Sequence, residues 1–190
     1  MEERERNSLL KKRLPIFILI GIISVFSIAG FILRVPEALM MSAEKVFLDH
    51  EYYRILAAMF LHADVVHLAQ NMLCLFGVSD LFLSFRKVPK YLLVYLLSGI
   101  LGALLELLIR FLLKDGTYAL GASGACMGVL GADIALLLKT KEGRSPAAWR
   151  SLLLRLGLLA AINLVPGSPG TDYLGHFSGF SFGFLLGLIL

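Results

Sequence analysis

Charge is scarce in this sequence. Of its 190 residues only 17% are charged, 58% are hydrophobic, and the mean hydropathy is +0.81. Soluble domains carry about a quarter of charged residues, so the shortfall predicts a membrane protein. Cysteine is nearly absent. Cys74 and Cys126 both fall in apolar runs with no partner at metal-ligand spacing, which leaves them as small packing residues. Internal repeats, low-complexity tracts and linkers to a second domain are missing. The length suits one domain. Basic residues are not interleaved with aromatics, which excludes nucleic acid as a partner, so the net charge of +4 is read as topology.

Apolar runs are what the chain has in abundance. A spanning helix needs about 20 mostly apolar residues, and six segments qualify: 14–33, 65–85, 89–113, 118–138, 149–165 and 173–190. The fold class is therefore all-α and polytopic, with a cytoplasmic segment over 1–13 and a six-helix membrane domain over 14–190. The first run follows Lys11-Lys12-Arg13 and has no small-residue cleavage site after it, so it reads as an uncleaved span. Lys and Arg gather at the N-terminus, at Arg86, Lys87 and Lys90, and at Lys139, Lys141, Arg144 and Arg150. This bias places both termini on the cytoplasmic side. The connection from Arg34 to Asp64, about thirty residues long, falls outside and is half apolar, which predicts a structured segment lying in the membrane interface.

Polar residues inside a membrane are costly and mark candidate sites. Glycines at 121, 124, 128 and 131 form one stripe, with Ser123 at its N-terminal edge. Glycines at 175, 179, 183 and 187 form another, with His176 beside it. Small-residue stripes let two helix backbones approach closely. If these two pack together, an imidazole comes within reach of a hydroxyl at the same depth, the minimum for an activated nucleophile. His67 and Asn71 stand four apart on one helical face and offer two donors for an oxyanion. No carboxylate adjoins either histidine closely, so a Ser–His dyad is expected, with Asp172 orienting the loop before the last helix. Metal binding by His62, His67 and His176 is disfavoured, because no thiolate or carboxylate joins them.

In order and spacing the chain resembles the rhomboid family of intramembrane serine proteases. Four motifs carry the match: Tyr53-Arg54, His62-x4-His67-x3-Asn71, Gly121-Ala-Ser-Gly124 and His176-x2-Gly179-x3-Gly183. Tyr95-Leu-Leu-Ser-Gly-Ile-Leu-Gly102 resembles the family's third helix, and the likeness covers essentially the whole chain. It implies that Ser123 is the nucleophile, His176 its base, and His67 and Asn71 with the Ser123 N–H the oxyanion donors. His62 and Arg54 support the site and the first loop rather than perform chemistry, and Gly121 and Gly124 also support the site. It also implies cleavage of transmembrane protein substrates in the lipid bilayer near its outer face, with no cofactor and no metal. The expected location is a cell membrane, a bacterial plasma membrane in the first instance. Three positions depart from the family. Tyr53 replaces a frequent Trp, Asp80 matches the acidic end of the second helix only loosely, and Met127 replaces an aromatic beneath the histidine.

The alternative reading is an inactive rhomboid-like protein that binds or moves membrane helices. The presence of both Ser123 and His176 disfavours it. A small transporter is disfavoured by the lack of internal repeats. Glu106 and Arg110, four apart, are expected to pair, as are Asp133 and Arg155 across two helices. Gly167 and Gly170 make the Pro166–Pro169 loop a candidate cap for the site.

Overall fold

A computed structural model of the chain describes residues 2–163 and 172–190. Nine helices occur among them: α1 (Glu2–Leu33), α2 (Pro36–Leu39), α3 (Ala43–Phe47), α4 (Tyr53–Ala58), α5 (Val65–Phe85), α6 (Val88–Leu113), α7 (Ser123–Lys139), α8 (Pro146–Asn163) and α9 (Tyr173–Ile189). The only strand-like pairing among the described residues is an isolated antiparallel bridge between Met41 and Ala119. The described residues form an all-helical fold.

Among the described residues three helices are long and apolar enough to cross a membrane: α1 over Arg13–Leu33, α5 and α6. The helix α9 is apolar but shorter. Leu14, Val25, Phe26, Ile32 and Leu33 on α1 remain exposed, as do Leu112, Leu113 and Phe177 elsewhere. Apolar side chains left outside a bundle suit a lipid solvent. The core lies between α5, α6 and α7, where Leu75, Phe82, Tyr91, Tyr95, Val129 and Leu136 are fully buried.

Local chemistry sets the helix ends. Asp64 caps α5 by accepting the His67 N–H at 2.8 Å, and Ser42 caps α3 through the Lys45 N–H. Pro89 sits in the first turn of α6, where its missing N–H leaves no carbonyl unpaired. Lys114 ends α6 in the left-handed region, at φ 55°.

The fourth predicted segment begins five residues too early. Residues 118–122 are not helical: Met41 and Ala119 exchange backbone hydrogen bonds at 3.0 and 2.9 Å, so this apolar stretch is pinned to the first connection. That connection carries three short helices and is tied together by Arg54, which donates to the carbonyls of Ala38 at 2.6 Å and Met40 at 2.9 Å and pairs with Glu51. Its Leu48, Tyr52, Tyr53 and Leu56 are exposed, as an interfacial segment requires.

The two glycine stripes meet. A methyl group at Gly179 or Gly183 would overlap the carbonyl oxygen of Gly124 or Gly128, and one at Gly187 would lie 2.7 Å from the Ala132 Cα. Gly102 of α6 closes on the same pair, 2.7 Å from its would-be Cβ to the Gly179 Cα. Backbone therefore packs on backbone, with α9 held between α6 and α7.

Among the charged pairs, Glu106 and Arg110 do bond, at 2.9 Å. Asp133 and Arg155 do not. Arg155 turns to α5, where it donates to the Gly77 carbonyl and to Asp80 at 3.2 Å, and Arg13 of α1 meets the same carboxylate at 2.6 Å. Asp133 is fully buried with both carboxylate oxygens unpartnered. Asp80 prevails because it already sits at the α1–α5–α8 seam that the Arg155 side chain faces. The Pro166–Pro169 loop lies outside the described residues.

Candidate active site

Gly121 makes the turn that precedes α7. Its φ of +124° is a conformation side chains rarely adopt, and its N–H donates to the Ala58 carbonyl at 2.9 Å. A Cβ there would also come within 3.0 Å of the His67 ring. Gly121 thus lies outside the helix that the stripe was expected to form, and Ser123 becomes the first residue of α7. The N–H groups of a first turn have no partner within their own helix and carry its positive end.

Behind this turn lies a hydrogen-bonded clamp. The Ala122 N–H points at His62 Nε2 over 3.4 Å, so that nitrogen accepts. Nδ1 then carries the proton and donates to Ser27 Oγ at 2.8 Å, and the Ser27 hydroxyl donates to the Phe60 carbonyl at 2.9 Å. His62 is fully buried in the connection before α5. Burial, aided by the neighbouring His67 ring, pushes its imidazole from 6.5 down to about 3. It is a neutral structural group that ties α1 to the turn holding Ser123. Ser27 escaped the sequence analysis, although a hydroxyl in an apolar helix is a visible signal.

The remaining site residues divide between two spaces. Ser123, His176, Gly121 and Gly124 all line a small cavity of about 40 Å³, closed below by Ala125 and bordered by Glu106. A larger open space of about 470 Å³ adjoins it, lined by His67, Met40, Leu120, Asp172 and Tyr173. His67 and His62 meet edge to face with ring centroids 5.0 Å apart. Asn71 lies one turn deeper on α5. Its amide donates to the His67 carbonyl at 2.9 Å, and its Oδ1 is buried without a partner. Arg54 lines neither cavity; it holds the first connection as described above and bonds the carbonyl of Met40, which borders the larger space. Met127 is half-buried against the core.

A cluster that sequence reasoning divided into unrelated parts borders both spaces. Arg110 donates to Glu106 at 2.9 Å, to Asp115 at 2.6 Å and to Asp172 at 2.9 Å. Asp172 caps α9 by accepting the Gly175 N–H at 3.0 Å. The loop before the last helix, which Asp172 was expected to orient, lies outside the described residues; Asp172 itself caps α9, with Arg110 as its anchor. Among the described residues no group of three His, Cys, Asp or Glu side chains could hold a metal ion.

The family model of the rhomboid domain matches residues 49–190. RHOMBOID-like protein 2 of Arabidopsis thaliana is 38% identical over 149 residues, covering 77% of this chain and 44% of the relative. RHOMBOID-like protein 6, mitochondrial, of the same plant is 36% identical over 152 residues, covering 77% and 46%. Rhomboid-type serine protease 2 of Emericella nidulans is 32% identical over 139 residues, covering 73% and 27%. The chain thus spans less than half the length of these relatives. All three are eukaryotic, so a bacterial plasma membrane gains no support from them. With a domain match running from the first connection to the last helix, the chain belongs to the rhomboid family.

Proposed function

We propose that this protein is an intramembrane serine endopeptidase acting through a Ser123–His176 dyad. The observation that carries the reading is the shared cavity: two helices packed glycine on glycine bring one hydroxyl and one imidazole to its wall. His176 takes the Ser123 proton as Oγ attacks the scissile carbonyl and returns it to the leaving amine. The negative oxygen of the tetrahedral intermediate is met by the Ser123 N–H at the start of α7, by His67 and by the second N–H of Asn71. Substrates are transmembrane protein helices, unwound locally so that a carbonyl becomes accessible.

The chain crosses the membrane six times, with α7, α8 and α9 as spans of 17, 18 and 17 residues near the lower limit of length. Both termini are cytoplasmic by the Lys and Arg bias, so Ser123 and His176 lie towards the outer face. The test is cleavage of a transmembrane substrate in proteoliposomes. Ser123→Ala and His176→Ala should each abolish it, and a fluorophosphonate should label Ser123 in the unaltered protein alone. Continued cleavage by either variant would remove the dyad, whereas absence of cleavage by the unaltered protein would favour the helix-binding alternative.

A further inference from the structure

Two buried charges of α6 do more than neutralise one another. Arg110 is shared among three carboxylates, Glu106, Asp115 and Asp172. With all of them ionised the cluster carries a formal −2, and with one proton held it carries −1. It is anionic either way. Glu106 is 2% exposed, and Arg110 8%. Charges in such surroundings act on their neighbours with little screening.

This anionic cluster is built against His176. Asp172 stands one turn ahead of it, and the His176 N–H donates to the Asp172 carbonyl at 3.0 Å. The Asp172 carboxylate caps the Gly175 N–H. A Cβ on Gly175 would lie 2.6 Å from Glu106 Oε2 and 3.2 Å from Asp172 Oδ2, so both acids press on the residue before the histidine. Glu106, Asp172, Gly175, His176 and Ser123 line the same cavity. The charged or titratable groups around His176 are therefore Asp172 ahead of it, Glu106 and Arg110 from α6, and His67 from α5. The acids outnumber the one cation.

Resting on the dyad reading, we propose that Asp172, anchored by Arg110 and backed by Glu106, is the positioning residue that favours the imidazolium of His176 through charge rather than through a direct hydrogen bond. When Ser123 reacts, its O–H bond breaks as the N–H bond on His176 forms, and the electron pair left on Oγ enters the new bond to the substrate carbonyl carbon. The imidazolium so created is stabilised by the cluster until its proton passes to the leaving amine. The carboxylate of a three-residue site is thereby replaced by one placed at the helix cap.

Asp172→Asn is the decisive variant, because Asn caps a helix as well as Asp does while removing the charge. Fluorophosphonate labelling and cleavage are measured from pH 5 to 9 for the full chain in liposomes. Losing the anion lowers the affinity of His176 for its proton, so the acid limb of kcat/KM should move down by about half a pH unit or more, with an on the order of 3- to 10-fold loss on the plateau. Asp115→Asn, at the rim, should move the limb the same way by less. A purely structural cap predicts a lower rate with the limb unmoved. That result for Asp172→Asn, or for Asp115→Asn should the first variant fail to fold, would overturn the inference. An unaltered protein that no fluorophosphonate labels would instead remove the dyad, and the inference with it.

Discussion

The closest backbone contact between α7 and α9 offers a quantitative test. Gly183 faces the Gly128 carbonyl so directly that a methyl group has no room, whereas ordinary contacts of a Cβ lie at 3.4–4 Å. Gly183→Ala must therefore push the helices apart by more than about 1 Å, or tilt them about some other contact. Overpacking of this kind costs about 1–3 kcal/mol. The larger effect falls on the reaction, because Ser123 and His176 stand on the two helices being separated, and about 1 Å of misplacement costs on the order of 100-fold in rate. Cleavage in proteoliposomes should thus fall by about two orders of magnitude, mostly in kcat, with a melting transition that remains cooperative. Shrinking the partner cannot compensate, since Gly128 has nothing to remove. Gly21→Ala is the control, because a Cβ there meets nothing within 4 Å, and activity should be unchanged. If Gly183→Ala cleaved within about twofold of the unaltered protein, the coupling of this packing to the site would be wrong.

Further expectations concern other parts of the molecule. His62 takes up no second proton in the fold until about pH 3, whereas in the unfolded chain it does so at 6.5. Stability should therefore be flat above pH 7 and fall below it, by about 2 kcal/mol at pH 5. Denaturant midpoints compared with His62→Gln, which should lose that slope, check the sign. A variant as steep as the unaltered protein would refute it. Asp133→Val, replacing a buried carboxylate whose oxygens have no partners, should stabilise by about 1–3 kcal/mol in thermal melts; a lower midpoint would reveal an interaction for Asp133. Arg54→Ala leaves the Ala38 and Met40 carbonyls unpaired. It should speed proteolysis within 34–64 and leave fluorophosphonate labelling of Ser123 within about threefold; an intact first connection would count against its bracing role.

Hydropathy located α5 to the residue and α6 within one, because each is a mostly apolar run bounded by charge, Asp64 and Arg86 for α5 and Lys87 and Lys114 for α6. It failed before α7 for a physical reason. Tyr118, Ala119 and Leu120 are as apolar as a helix requires, but Ala119 is held in an extended pair with Met41, and Gly121 turns the chain through a positive φ. Composition carries no record of either bond. The glycine spacing did foretell the α7–α9 packing, since small residues four apart can serve little else in an apolar helix. Partners across the bundle were harder to read. Depth alone could not choose between Asp133 and Asp80 for Arg155, because which way a helix faces is set by its neighbours. The cluster on Arg110 was half visible as an i, i+4 pair; Asp115 joins it from just past the end of the same helix, and Asp172 only through the folding back of the chain.

The clasp of α6, α7 and α9 has a mechanical consequence. Where main chain rests on main chain there is no rotamer to change and no flexible side chain to yield. These three helices can only move as one solid piece. Seams made by side chains, such as those of α1 and α8 against α5 with Phe17 on Phe76 and Arg13 and Arg155 on Asp80, can rearrange side chain by side chain. Any opening wide enough to admit a protein helix must therefore form along those softer seams or in the connections, while the spacing between hydroxyl and imidazole stays fixed as the molecule breathes.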